Sequence, residues 1–256
     1  MFGKVMSDGT INPWKSPEYN PSLKVRWSKH HLDILLGEIG KYLGSDPYSL
    51  SFEDDLKAGE HLAKLELKPL RDRAGLILGD FVSCLRGSLD HLATALTHCN
   101  GGVPNDRAAF PIIGVNNSDG RRDFLNAVKG VPDPAVTVIE SLQPYHDGPT
   151  YEATKLWRLH RLWNIDKHRR IPFHVTNVQV WIAGPSDMPP IDSGSDNSGI
   201  MRFPLAVKGK VHLQPPVKVG VEFGDKSEGI IVPYGELIEI YNFVRKDVMP
   251  RFDCFF

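Results

Sequence analysis

Residues 85–96 read LRGSLDHLATAL, a stretch in which leucines recur at the three- and four-residue spacing of a helix. Together with the apolar residues before it, the stretch predicts one long helix over residues 71–98. Arg86, Asp90 and His91 stand inside this helix, although its wide apolar face is typical of a helix that neighbouring elements cover. The question for the whole chain is why a covered helix carries these three polar residues.

The opposite face of the same helix carries small residues at steps of four, namely Gly79, Ser83 and Gly87. A glycine inside a helix costs roughly 1 kcal/mol relative to alanine. Two glycines on one row therefore predict that another backbone approaches closely there. We expect the helix to be central and its polar residues to be partly buried, where unpaired charges are costly.

The expected partners lie in a second motif, NIDKHRR at residues 164–170. Asp166 continues the apolar face of its own helix, and it should therefore point into a helical bundle. We predict a shared network in which Arg86 pairs with Asp90 or Asp166, and His91 bonds to one of those carboxylates. The two helices should then touch through at least one charged hydrogen bond.

Elsewhere the periodicity divides the chain into three parts. Residues 1–21 show no period and predict an irregular arm. Residues 22–170 are mainly helical with a β-hairpin near 48–68, and residues 171–256 alternate as strands before a C-terminal helix. Shorter helices are predicted at 119–129 and 133–142, with Asp119 and Asp133 as N-caps. The segment 184–199 is poor in apolar residues and predicts a surface loop.

This order of elements predicts an α+β fold, a helical bundle with an antiparallel β-sheet packed on one side. The 171–256 part is expected to belong to the same domain as the bundle. Long helical crossovers between paired strands are missing, which argues against a doubly wound parallel sheet.

The composition restricts the function. The chain has 256 residues, a formal net charge of -1 and three cysteines without a CxxC motif. A globally basic nucleic-acid binder is therefore disfavoured, and a reducing compartment is favoured. The N-terminal residues lack the apolar run of a secretory signal, and no apolar run is long enough for a bilayer. We expect a cytoplasmic protein that does not enter a membrane.

Several motifs follow one another in a fixed order: GD at 79–80, LRGSLDHLA at 85–93, FPI at 110–112, IESLQPY at 139–145 and DKHR at 166–169. Over about residues 75–170 the chain thereby resembles an uncharacterised family of bacterial proteins with an LR-x-x-LDH helix and a downstream DKHR. The resemblance implies a bacterial or phage-related cytosolic setting and no particular activity.

Arg86 and His91, with four residues between them, also resemble the motif of the HEPN ribonucleases, which are compact helical bundles. The active members usually have a polar residue after the arginine, where this chain has Gly87, and they lack an appended sheet. The resemblance implies metal-independent RNA cleavage, with His91 as the base and Arg86 stabilising the phosphorane. Asp90, Asp166 and His168 complete the set of catalytic candidates.

A ribonuclease would also need phosphate contacts. The candidates are the cations of one helix and its end: Arg158, Arg161, Lys167, Arg169 and Arg170. The structural alternative is that Arg86 and Asp90 form a buried pair. The basic run would then complement the negative C-terminal end of its helix.

A metal enzyme is a further alternative, because His160 joins the carboxylates and histidines named above as a possible ligand. Its spacing of six from Asp166 and eight from His168 does not place ligands on one helical face, and no HExxH motif occurs. We expect no metal and no cofactor. The favoured hypothesis is a non-enzymatic binding or assembly module, whose small-residue row could admit the helix of a second subunit. Its partner is otherwise unknown.

Overall fold

The computed structural model describes residues 20–183, 200–205 and 212–256. Nearly all of the predicted N-terminal arm and the predicted loop at 184–199 lie outside these residues. The α+β class is confirmed. The described chain divides into two compact units, one formed by residues 20–36, 73–172 and 223–256, and the other by residues 37–72 and 173–222 without the gaps.

The α-helices are α1 (Pro21–Leu43), α2 (Arg73–Cys99), α3 (Ser118–Ala127), α4 (Asp133–Ser141), α5 (Lys155–His168) and α6 (Tyr234–Asn242). The strands are β1 (Tyr48–Asp55), β2 (Glu60–Leu67), β3 (Phe173–Ala183), β4 (Ile200–Pro204), β5 (His212–Asp225) and β6 (Ile230–Pro233). A 3-10 segment, Pro144–Ala153, precedes α5, and a π-helical turn, Phe243–Val248, continues α6 into a last 3-10 segment, Met249–Phe255.

Helix α2 is the centre of the first unit, as its sequence predicts. The side chains of its apolar stripe have no exposed surface: Leu78, Phe81, Val82, Leu85, Leu89, Leu92 and Leu96. Burying one such side chain stabilises the fold by roughly 1.5–3 kcal/mol. The stripe therefore supplies much of the free energy that orders this unit, and it also buries the polar residues beside it.

The short helices begin differently from the prediction. Asn117 caps α3, because its side-chain oxygen accepts the amide of Gly120 at 2.8 Å. Asp119 lies inside the helix and pairs with Arg122. Helix α4 begins at Asp133 itself, after Pro132, and no side chain caps it. Both predicted N-caps are therefore wrong, by one or two residues.

The predicted hairpin is present in the second unit. β1 and β2 pair antiparallel from Tyr48–Leu67 to Asp55–Glu60, and β4 pairs with the other edge of β2. Strand β2 is thus paired on both edges, and the hairpin lies in the second unit. A second sheet has the strand order β3–β5–β6.

Candidate functional site

Arg86 is almost fully buried, and both ends of its guanidinium are engaged. Nη1 donates to Asp90 Oδ1 at 2.5 Å, and Nη2 donates to the carbonyl oxygen of Phe110 at 2.8 Å. The amide of Phe110 in turn donates to Asp90 Oδ1 at 3.0 Å. The predicted Arg86–Asp90 pair is thus confirmed. The pair also binds the backbone carbonyl oxygen and the backbone amide of Phe110. We call this arrangement the Phe110 clamp.

A second polar side chain holds the next residues of the same loop. Gln143 is buried; its Nε2 donates to the carbonyl oxygen of Pro111 at 3.0 Å, and its Oε1 accepts the amide of Ile113 at 2.9 Å. The apolar loop at 110–113 is therefore anchored from α2 and from the end of α4. The sequence reading missed Gln143, because a single amide between apolar neighbours leaves no periodic signal.

Asp166 does not join the Phe110 clamp. Its Oδ2 accepts the hydroxyl of Ser83 at 3.0 Å, and its carboxylate lies where a side chain at Gly79 would have to be. At Gly87 the neighbour is the side chain of Lys24, whose Nζ would be 3.2 Å from a β-carbon. The small-residue row therefore admits charged side chains of the same chain. The expected backbone neighbour at these two glycines is wrong, because side-chain atoms of Asp166 and Lys24 lie there.

The contact between α2 and α5 also differs from the expected network. The helices do touch, through Ser83 and Asp166 and through the Arg86 guanidinium, which lies 4.9 Å from the ring centre of Trp163. Among the described residues, however, no hydrogen bond or ion pair joins residues 86–91 to residues 166–169. The expected charged bond between the two motifs is therefore wrong, because both terminal nitrogens of the guanidinium are bound to Asp90 and Phe110, and its Nε has no hydrogen-bond partner.

His91 lies away from Arg86, since five residues on a helix correspond to a rotation of about 140°. It forms no hydrogen bond within the described part of the chain, which corrects the expected bond to a carboxylate. Burial lowers the pKa of His91, and the nearby Lys24 ammonium lowers it further against a smaller opposite effect of Asp90. His168 is exposed in the last turn of α5. The five catalytic candidates therefore do not converge on one site.

The basic run on α5 is occupied by carboxylates and rings. Arg158 pairs with Glu236, and Arg161 lies 3.5 Å from a carboxylate oxygen of Glu228. Lys167 lies 3.3 Å from the ring centre of Trp163. Arg158 and Arg161 therefore neutralise carboxylates of the first unit, and Lys167 makes a cation–π contact within it.

The end of the basic run is occupied in the same way. Arg169 bridges Asp225, at 2.8 Å, and Glu228. Hydrogen bonds from Ser227 lower the pKa of the Asp225 carboxyl, and the Arg169 cation lowers it further. The aliphatic part of Arg170 packs against Gly75. The expected row of phosphate contacts is thus not a free positive surface.

His160 is enclosed between two tryptophans, with ring centres 5.7 Å from Trp157 and 6.0 Å from Trp163. Burial lowers its pKa to about 4, and the Arg86 guanidinium adds to this effect. The ring is therefore neutral at pH 7, and its Nε2 accepts the side-chain amide of Asn164 at 3.0 Å. In the ranges that the structure describes, no three side chains of the metal-binding types come together.

A different surface of the first unit is open. Leu23, Arg26, Trp27 and His30 follow one exposed stripe of α1, at the spacing of a helical face. Trp27 is 56% exposed, and its ring stacks on that of His30 at 5.0 Å. An open groove of about 590 Å³ is lined by Leu23, Lys24, Arg26, Trp27 and Cys84. We call the surface formed by Leu23, Lys24, Arg26, Trp27 and His30 the Trp27 face.

The sequence reading missed this face, although the signal was present. Residues 22–32 contain three cations, two histidines and a tryptophan without a carboxylate. Cys84 also lines the groove, and burial raises the pKa of its thiol. The groove therefore offers a cationic and aromatic surface.

Comparison with known proteins adds no name to these sites. No protein-family model, no curated protein and no solved structure matches this chain. Within the described residues, none of the helices has the length and apolar character needed to cross a bilayer.

Proposed function

We propose that the chain is a non-enzymatic binding module, in which the Phe110 clamp stabilises the fold and the Trp27 face receives the ligand. One observation carries the first half of this proposal. Arg86 is only 4% exposed, and its two terminal nitrogens are bound to Asp90 and to the Phe110 carbonyl. A guanidinium in that position supports the loop that it holds.

The Trp27 face supports the second half. A tryptophan that is 56% exposed on a helix is uncommon, because large aromatic side chains are mostly buried. Exposed aromatic residues beside cations are typical of surfaces that meet a partner. The exposed face therefore favours a binding role, and the resemblance to bacterial LR-x-x-LDH proteins suggests only a bacterial cytosolic setting for it.

The alternative, a HEPN-like ribonuclease that uses Arg86 and His91, places a different demand on the same residues. To reach a phosphate, the Arg86 side chain would have to give up its bonds to Asp90 and Phe110. Breaking such a buried pair costs about 3–5 kcal/mol. His91 would have to act from another side of α2. The binding module requires neither rearrangement.

The experiment that tests the proposal combines an RNA-cleavage assay with chemical denaturation of His91→Ala. His168→Ala is the matched control, because His168 is an exposed histidine at the end of α5. We expect the wild type and both variants to leave RNA intact. A His91→Ala variant that keeps its stability but loses a cleavage activity of the wild type would make α2 an active site and contradict the proposal.

A further inference from the structure

The Trp27 face has an aromatic ring that is held in place and yet open to solvent. The ring planes of Trp27 and His30 are stacked with an angle of 28°, and the ring of His31 meets the indole edge-on at 5.5 Å. The buried residues of α1, including Leu32, Leu35 and Ile39, lie on the other side of the helix. The indole is therefore oriented by its neighbours without being part of the core.

The charge around this ring is mainly positive. Lys24 and Arg26 take part in no ion pair among the described residues, whereas Lys29 is paired with Asp33. Two carboxylates are also close to the stripe: that of Asp33 is paired with Lys29, and that of Asp80 lies 3.9 Å from the ring of His31. The N-terminal end of α1 adds the partial positive charge of the helix dipole. The face is thus complementary to an anion that also carries an apolar or aromatic surface.

Single-stranded nucleic acid has this combination of properties. Its bases are unpaired and can present their flat aromatic faces, and its phosphates follow at regular intervals. A duplex hides the faces of its bases, and a free phosphate makes no use of a tryptophan. A bilayer surface requires a broad apolar helix face, while the apolar face of α1 is already buried in the first unit.

We infer that the Trp27 face binds single-stranded nucleic acid, with Trp27 stacking on a base and with Lys24 and Arg26 contacting the neighbouring phosphates. This inference rests on the proposed binding function and names its ligand. His30 supports the indole from the side of the helix. The groove above Cys84 accommodates the strand beside the stacked base.

The stacking part is tested with the full chain and a fluorescein-labelled 12-residue oligouridine, followed by fluorescence anisotropy. Trp27→Ala should weaken binding about tenfold or more, the usual contribution of one stacked base. Trp27→Phe should retain most of the affinity, because phenylalanine keeps an aromatic face. Leu56→Ala is the matched control, since Leu56 is a 77% exposed apolar residue at the tip of the hairpin, and it should bind like the wild type.

The electrostatic part is tested by the salt dependence of the same binding. Each phosphate contact on a single strand contributes about 0.7 to the slope of log K against log salt. Lys24→Ala and Arg26→Ala should each lower the slope by about that amount. Lys57→Ala removes an exposed cation from the hairpin turn and should leave the slope unchanged.

Three results would overturn the inference. The first is that the wild type fails to bind oligouridine at low salt, or binds a duplex equally well and independently of Trp27. The second is that anionic vesicles bind in a Trp27-dependent manner while oligouridine does not. The third is a Trp27-dependent dimer in sedimentation analysis without oligouridine binding.

The failure of this inference differs from the failure of the proposed function. If oligouridine does not bind and RNA stays intact, the binding module has another ligand and only the inference is lost. If RNA is cleaved in a His91-dependent reaction, the proposed function is lost whatever the Trp27 variants do. A thermal melt of Trp27→Ala verifies that this exposed substitution leaves the fold intact.

Discussion

Two ion pairs of the first unit share the same helical spacing and differ in every other respect. Lys29–Asp33 on α1 and Arg86–Asp90 on α2 both join residues four apart. The side chains of the first pair are 44% and 56% exposed, whereas those of the second are 4% and 28% exposed. Only the second pair holds a backbone segment, at Phe110. The same i,i+4 spacing of a cation and an aspartate therefore gives an exposed ion pair in α1 and a buried pair that holds a loop in α2.

The difference is one of solvation. An exposed pair gains little, because water already stabilises both charges and the side chains lose freedom on pairing. In a buried pair each charge depends on its partner, so that the loss of one leaves the other without compensation. The following predictions break or sharpen this contrast, beginning with the largest expected effect.

Asp90→Asn should lower the free energy of unfolding by about 3 kcal/mol or more, because it leaves the Arg86 guanidinium buried without a counter-charge. The amide oxygen of asparagine can still accept the amide of Phe110, so the loss reports mainly on the charge. The measurement is a urea or guanidinium midpoint at constant slope. A decrease in the free energy of unfolding below about 1 kcal/mol would mean that this pair contributes no more than an exposed surface pair.

His160 should make the same region sensitive to acid. Its pKa is about 4 in the folded chain and near 6.5 when unfolded. The unfolded chain therefore binds the proton first, and the free energy of unfolding should fall as the pH drops from 6.5 to 4, by about 3 kcal/mol in total. Above pH 6.5 the residue should have no effect.

The corresponding variant is His160→Gln, in which an amide oxygen replaces the acceptor for Asn164. Denaturation curves from pH 7 to pH 4 should lose the His160 component of the pH dependence. Equal pH dependence in the variant and the wild type would show that burial and Arg86 do not lower the pKa of His160.

Gly79→Ala should destabilise the chain by about 1–3 kcal/mol, because its methyl group would overlap the Asp166 carboxylate that bonds to Ser83. Gly37→Ala is the matched control in α1, where no atom lies within 4 Å of the added carbon. The control should be stabilised by about 0.4–1 kcal/mol, the usual effect of replacing an unstrained helical glycine. Equal behaviour of both variants in thermal unfolding would mean that Asp166 moves aside freely.

Asp33→Asn should have the smallest effect, at most about 0.5 kcal/mol for an exposed i,i+4 pair. The small loss should disappear in high salt, because exposed charges are screened over about 3 Å at 1 M ionic strength. Denaturation in low and high salt, beside Asp90→Asn, measures this directly. A loss as large as that of Asp90→Asn would contradict the contrast between the two pairs.

The predictable part of the fold was local. Helix α2 and the hairpin both follow from hydrophobic period and turn residues, which act between neighbours along the chain. The Arg86–Asp90 pair was predictable for the same reason, since a helix brings residues four apart together. The wrong N-caps of α3 and α4 differ by one or two residues, where several polar side chains compete for the same amides.

What only the tertiary structure decided is which neighbour each charged residue meets. Arg161 and Arg169 both pair with Glu228, which lies about sixty residues further along the chain. The Asp166 carboxylate packs against Gly79, and the Lys24 side chain packs against Gly87. No period along the chain encodes such distances, because they depend on how separate elements pack. The sequence by itself determined the helices and strands and which residues carry charge. Packing determined which charges are buried and paired, as at Phe110, and which remain open to solvent, as beside Trp27.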